Sequence, residues 1–238
     1  MTFILEIEHL KVNYGDLVGI ADVSFAVGQG ALVALLGANG AGKTTTLNAI
    51  AGTLRPTAGT IRFDGENIAA RPAQDIVRRR LALAPEGWRL FTRQTVENNL
   101  HLGATALADR AQLPRLLDRA YTLFPRLAER RRQLAGTMSG GERQMLAVAR
   151  ALMSDPVLLM LDEPSLGLAP AIVESMYDTL AQLHRDGLTI LIAEQAVELA
   201  LEIADHATIL QVGRSVLAGP ARQLAQDPEV QRIYLGIA

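Results

Sequence analysis

The chain has 238 residues, 49% of them hydrophobic, enough apolar mass for one large domain with a packed core. Lys and Arg number 23 against 25 Asp and Glu, so there is no basic field for nucleic acid. Cysteine is absent, which excludes disulfides, thiol catalysis and zinc–thiolate sites, and the scattered His9, His101, His184 and His206 do not suggest a histidine metal cluster. The opening MTFILEIEHLKVNYG lacks the basic-then-apolar layout of a secretory signal. No apolar run approaches the ~18–20 residues needed to cross a bilayer. A soluble chain is expected, with membrane association only through a partner.

In chain order, FILEIEHLKVNY, VSFAV and ALVALL carry strand signals before residue 36, with Gly15, Gly28 and Gly30 as turns. TTTLNAIAG reads as a helix ending near Gly52. GTIRFDGENI, with Asp64-Gly65 at its turn, predicts a hairpin. A helix around 72–80 leads into strand LALAP, and Thr95–Ala135 reads as helical. ERQMLAVARALMS has the apolar spacing of an amphipathic helix, closed by Pro156. Strand VLLML, helix PAIVESMYDTLAQLHRDG, strand LTILIA, helix AVELALEIAD and strand ATILQV follow. Alternating strands and helices predict a parallel sheet covered on both faces. The stretch 95–155 interrupts the alternation as an inserted helical lobe.

LLGANGAGKTT contains GxxxxGK[ST] as Gly37, Ala38, Asn39, Gly40, Ala41, Gly42, Lys43 and Thr44, followed by Thr45. It lies between an apolar strand and a helix, the context this phosphate-binding motif requires. Backbone N–H groups and the positive helix end would wrap the phosphates. Lys43 would reach the β- and γ-phosphates of ATP, and the Thr44 hydroxyl would bind Mg²⁺. In such proteins a second apolar strand ends in an acid that holds the magnesium; Asp162, after VLLML, fits. Glu163 is then placed to polarise the water attacking the γ-phosphate.

TMSGGERQM follows the helical stretch. Ser139 and Glu142 have the spacing of a helix capping box. That spacing does not account for Gly140 and Gly141, which weaken a helix start unless a backbone must come close to something. A serine hydroxyl and two glycines at a helix N-terminus read as a second anion site.

On these residues the whole chain resembles the ATP-binding subunits of ABC transporters, whose signature MSGGE matches. The resemblance implies an α/β P-loop NTPase with a RecA-like parallel-sheet core, an N-terminal antiparallel β subdomain and an inserted helical subdomain. The core with its β subdomain would comprise 1–94 and 156–238, and the helical part 95–155. It also implies a head-to-tail dimer in which ATP lies between the P-loop of one subunit and Ser139, Gly140, Gly141 and Glu142 of the other. Tyr14 matches the aromatic that stacks on adenine, and Ser165, Leu166 and Gly167 occupy the loop crossing the dimer seam. Two positions depart from the family pattern. Glu86 stands where glutamine contacts magnesium and the membrane partner, and Gln195 where a histidine steadies the γ-phosphate; glutamine cannot become a cation there.

PEGWRLFTRQTVENNL, LFPRLAERRRQLAGTMSGGERQML, DEPSLGLAP, AEQAVELAL and the terminal YLG are similar to the LivF-type subunit of branched-chain amino acid importers. This implies a transport ATPase on the cytoplasmic face of the cell membrane, using ATP and Mg²⁺. Its partners would be a LivG-type second ATPase or another copy of itself, two transmembrane permeases and, indirectly, an extracytoplasmic solute-binding protein. Trp88 and Phe91 are candidates for a groove receiving a permease helix. Importers of urea and short amides, and exporters, use similar ATPases and stand as alternatives. Arg78–Arg80 and Arg130–Arg132 read as solvated helix faces, with a partner or lipid-headgroup contact as the alternative.

Overall fold

The computed structural model describes residues 2–231; the terminal YLG lies outside them. Ten strands form one sheet: β1 (Phe3–Tyr14), β2 (Leu17–Gly28), β3 (Leu32–Leu36), β4 (Ala58–Phe63), β5 (Glu66–Asn67), β6 (Leu81–Ala84), β7 (Leu158–Asp162), β8 (Thr189–Glu194), β9 (His206–Gln211) and β10 (Arg214–Pro220). Their order is β5-β4-β1-β2-β10-β9-β3-β8-β7-β6. The run β9-β3-β8-β7-β6 is parallel, whereas β1, β2, β4 and β5 pair antiparallel. The fold is the expected α/β P-loop architecture, with the antiparallel strands at one edge of the same sheet.

The central strands explain why VLLML and LTILIA carry no alternation. All five residues of β3 and of β7, and all six of β8, are buried. Side chains alternate faces with period two, and both faces are covered. Leu32, Ala34, Leu36, Leu159, Leu161, Ile190 and Ile192 join one core cluster. It also takes residues of α6 (Gly140–Leu152), α7 (Pro170–Arg185) and α8 (Val197–Ile203). Val33, Leu35, Leu158, Met160, Leu191 and Ala193 join the other, with α1 (Lys43–Ile50) and the antiparallel strands. Between α1 and α6 lie α2 (Ala73–Arg78), α3 (Val96–Gly103), α4 (Leu113–Leu123) and α5 (Pro125–Glu129). The last three fall in the predicted helical stretch, which is broken into short pieces.

Three local features differ from the sequence-based expectation. Helix α6 ends at Leu152, short of Pro156, because Asp155 turns the chain at φ 49°. Strand β10 is not announced by the sequence: it is half-buried on one face only and ends in Gly219-Pro220. The arginine runs are largely solvated, as expected, but lie past the ends of α2 and α5 for the most part, and several are paired within the chain. Arg79 pairs with Glu66 at 2.7 Å, Arg80 with Asp155 at 2.8 Å and Arg130 with Glu142 at 2.8 Å. Among the described residues, no helix is long and apolar enough to cross a membrane.

Candidate functional site

Strand β3 delivers the chain into the loop Gly37–Gly42, and α1 begins at Lys43. Gly42 sits at φ 107° as the helix N-cap, a conformation that excludes a side chain, and no side chain caps the helix. The N-terminal amides of α1 are therefore left for a ligand. Strand β7 runs two places from β3 in the sheet, so Asp162 and Glu163 emerge beside this loop. The Thr44 hydroxyl donates to Asp162 Oδ1 at 3.1 Å. Lys43 Nζ lies 2.9 Å from Glu163 Oε1 and donates to the carbonyls of Gly37 (2.7 Å) and Ala38 (3.1 Å). Glu163 holds φ at 49°, a left-handed backbone that costs a non-glycine residue about 1–2 kcal/mol. Its amide donates to Ala193 of β8 at 2.9 Å.

A cavity of about 400 Å³ opens here, lined among others by Val18, Thr44, Thr45, Glu86, Glu163 and Leu166. Glu86 and Leu166 thus face the same space as the phosphate loop. Gln195 is exposed and lines a neighbouring cavity of about 500 Å³ with Asn39, Gly40 and Val212. Another cavity, of about 1140 Å³, lies at the opposite ends of β3 and β9, around Ala31, Asp205 and His206, away from all of these groups. Tyr14 is 48% exposed, and its hydroxyl is 3.2 Å from Thr45 Oγ1. Sequence reasoning missed Gly19, beside this ring. A Cβ there would lie 2.7 Å from a Tyr14 ring carbon, so only glycine lets the ring take this position.

Asp162 is 3% exposed, and burial pushes its carboxyl up to about 6, against the hydrogen bond from Thr44. A buried oxygen donor without a full countercharge beside a hydroxyl suits a hard divalent cation such as Mg²⁺, which takes its other ligands from water and phosphate. The folded chain holds this proton more tightly than the unfolded one. Without divalent cations, Asp162 therefore contributes stability below the ordinary carboxylate range that is lost as pH rises through about 6. Thermal denaturation in chelator should show this fall in wild type and lack it in Asp162→Asn. Superimposable pH profiles of the two proteins would exclude the effect.

Ser139 and Glu142 do form a capping box. The Ser139 N–H donates to Glu142 Oε2 at 2.9 Å, the Ser139 hydroxyl donates to the same oxygen at 3.0 Å, and the Glu142 N–H donates to Ser139 Oγ at 3.3 Å. A Cβ on Gly141 would lie 2.8 Å from Ile172 Cγ2 of α7, so the close approach that requires this glycine exists within the chain itself. Gly140 has room, with only ordinary contact to Trp88 at 3.7 Å. Ser139–Glu142 are not among the residues lining the phosphate-loop cavity.

The loop after β6 turns through left-handed Gly87, Trp88 and Arg89. Arg150 of α6 donates to the carbonyls of Arg89 (2.7 Å) and Trp88 (3.1 Å) and lies 6.0 Å from the Phe91 ring centroid. Arg143, two turns earlier, stacks over Trp88 at 5.3 Å. Trp88 is half-buried and Phe91 53% exposed.

A family model described as "ABC transporter" matches residues 20–166. The chain belongs to the ABC transporter family. It is similar to the high-affinity branched-chain amino acid transport ATP-binding protein BraG of Pseudomonas aeruginosa, at 45% identity over 98% of this chain and 99% of that one. The probable branched-chain amino acid transport ATP-binding protein LivF of Archaeoglobus fulgidus is 36% identical over 96% and 97%. The lipopolysaccharide export ATP-binding protein LptB of Haemophilus influenzae is 34% identical over 98% and 97%. A solved ATP-binding subunit of an ABC transporter superimposes with a TM-score of 0.84 at 30% identity, covering 99% and 97%. The chain is thus an ABC ATPase, an enzyme that binds nucleotide and hydrolyses ATP in the service of transport.

Proposed function

We propose that this ABC ATPase energises uptake of branched-chain amino acids or close relatives of them, from the cytoplasmic face of the cell membrane. The supporting observation is the 45% identity to BraG across nearly both whole chains. Its partners are two membrane permeases and a second ATPase, either a LivG-type subunit or another copy of this chain, with an extracytoplasmic binding protein delivering solute. Residues 1–94 and 156–238 act as the core and 95–155 as the helical part. The similarity to LptB supports an export ATPase as the second reading.

In the proposed mechanism the amides of Gly40–Thr45 and the N-terminus of α1 hold the ATP phosphates, and Tyr14 stacks on the adenine. Thr44 and Asp162, with Glu86 at the rim, would hold Mg²⁺, which supplies charge neutralisation on the β- and γ-phosphates. Lys43 exchanges Glu163 for the γ-phosphate. The released Glu163 carboxylate accepts a proton from the attacking water as the bond from the γ-phosphorus to the bridging oxygen breaks, giving ADP and phosphate. Gln195 donates a hydrogen bond to the γ-phosphate. Ser139, Gly140, Gly141 and Glu142 of the second ATPase close the site.

Gln195→His, which adds a group able to carry a proton near neutral pH, is expected to raise turnover several-fold, on the order of 2- to 10-fold. Unchanged phosphate release in both the isolated and the assembled protein would count against Gln195 at the phosphate. The function itself is tested by isolating the tagged protein from its native membrane in mild detergent and identifying its companions by mass spectrometry. Two permeases and a second ATPase, with ATPase activity stimulated by a binding protein loaded with a branched-chain amino acid, are expected. Export components would select the second reading.

A further inference from the structure

Glu194, the last residue of β8, has no accessible surface. Removing a carboxylate from water is strongly unfavourable unless its oxygens are paired, and no ion pair with Glu194 occurs among the described residues. Backbone amides satisfy it instead. Oε1 accepts from the Ser165 N–H at 3.0 Å, and Oε2 accepts from Gln195 (3.0 Å) and Ala196 (3.3 Å). Its own carbonyl accepts from the Gly37 N–H at 3.3 Å. One residue therefore joins the phosphate loop, the segment after β7 and the loop after β8. Tyr177 of α7 is buried close by, its hydroxyl pushed up by burial first and then by the negative charge of Glu194.

We propose that Glu194 is a positioning residue for ATP hydrolysis: its carboxylate fixes the segment Glu163–Gly167 against Gln195, so that the group taking the water's proton and the group meeting the γ-phosphate keep one relative position. The inference rests on the roles given above to Glu163 and Gln195. The chemistry is selective. Three N–H donors converge on two oxygens, and only a carboxylate accepts at both. Glutamine of the same shape turns one of those oxygens into a donor facing another donor. Aspartate keeps both acceptors but is one methylene short.

A misplacement of about 1 Å can cost on the order of 100-fold in rate. Glu194→Gln is therefore expected to lower kcat by roughly 10- to 100-fold while leaving the KM for ATP within about threefold. Amide hydrogen exchange at Ser165, Gln195 and Ala196 should quicken by at least about tenfold, with the amides of β7 and α1 still protected. A buried acid that serves only the fold would lower the melting temperature and leave kcat per folded molecule and those three amides unchanged; that result overturns the proposal. Should Glu194→Gln not fold, Glu194→Asp decides by the same readouts, and failure of both to fold would equally overturn it. Glu163→Gln and Gln195→Ala, assayed alongside, separate the two readings. Wild-type turnover in those variants would refute the site assignment, whereas exchange at the three amides still reports what Glu194 holds.

Discussion

Glu163→Gln is expected to lower steady-state ATP turnover by on the order of 100- to 1,000-fold while tightening ATP binding. The second half of this expectation comes from the geometry of Lys43. Its ammonium has three donors, and Gly37, Ala38 and Glu163 engage all of them. Lysine and glutamate side chains are 4% and 7% exposed, so the pair is poorly screened. A γ-phosphate must displace the carboxylate to reach Lys43. Glutamine is a neutral and weaker competitor, so affinity should rise by roughly fivefold, equivalent to about 1 kcal/mol. Titration with a fluorescent ATP analogue, phosphate release and size-exclusion chromatography in ATP read the three consequences: tighter binding, lost turnover and an accumulating ATP-bound dimer. Unimpaired turnover would remove Glu163 from the chemistry, and unchanged affinity would show that its contact with Lys43 does not compete with nucleotide.

Ser139→Ala should also lose hydrolysis, for a reason that lies outside its own subunit. Within the chain the hydroxyl only caps α6 and touches Glu142, and losing such a cap costs about 1 kcal/mol. A fold of this size tolerates that, so ATP should still bind to the variant's own phosphate loop. Mixing Ser139→Ala with a Lys43→Ala chain, which keeps Ser139, should restore part of the turnover by rebuilding one composite site per dimer. Wild-type turnover in Ser139→Ala alone would reduce the residue to a helix cap, and full loss without restoration on mixing would argue against sites shared between copies of this chain.

The strands flanking the site were legible because burial on both faces demands unbroken apolar runs, as in β3, β7 and β8. The phosphate loop was legible because its glycines, Lys43 and Thr44 occupy fixed offsets that few other structures require. Strand β10 was hidden by its half-exposed face and its Gly-Pro end. Gly19 and Gly141 look like ordinary loop and helix glycines until Tyr14 and Ile172 are placed against them, which only tertiary packing does. Glu194 was the least visible. An acid at the end of an apolar strand reads as the start of a solvated loop, and nothing local tells that Ser165, 29 positions away along the chain, supplies an amide to it. Arg150 is similar: its spacing marks a helix face, and the carbonyls it holds belong to a loop 61 and 62 positions earlier.

Those arginine contacts carry a mechanical meaning. Arg143 and Arg150 lie two turns apart on α6 and grip Trp88 and Phe91 of the loop that starts at Glu86. Two grips along one helix form a splint between the loop and α6, whose N-cap is Ser139. A load applied to the exposed Phe91 ring would thus have a continuous path of side-chain contacts and helix to a point about one helix length away.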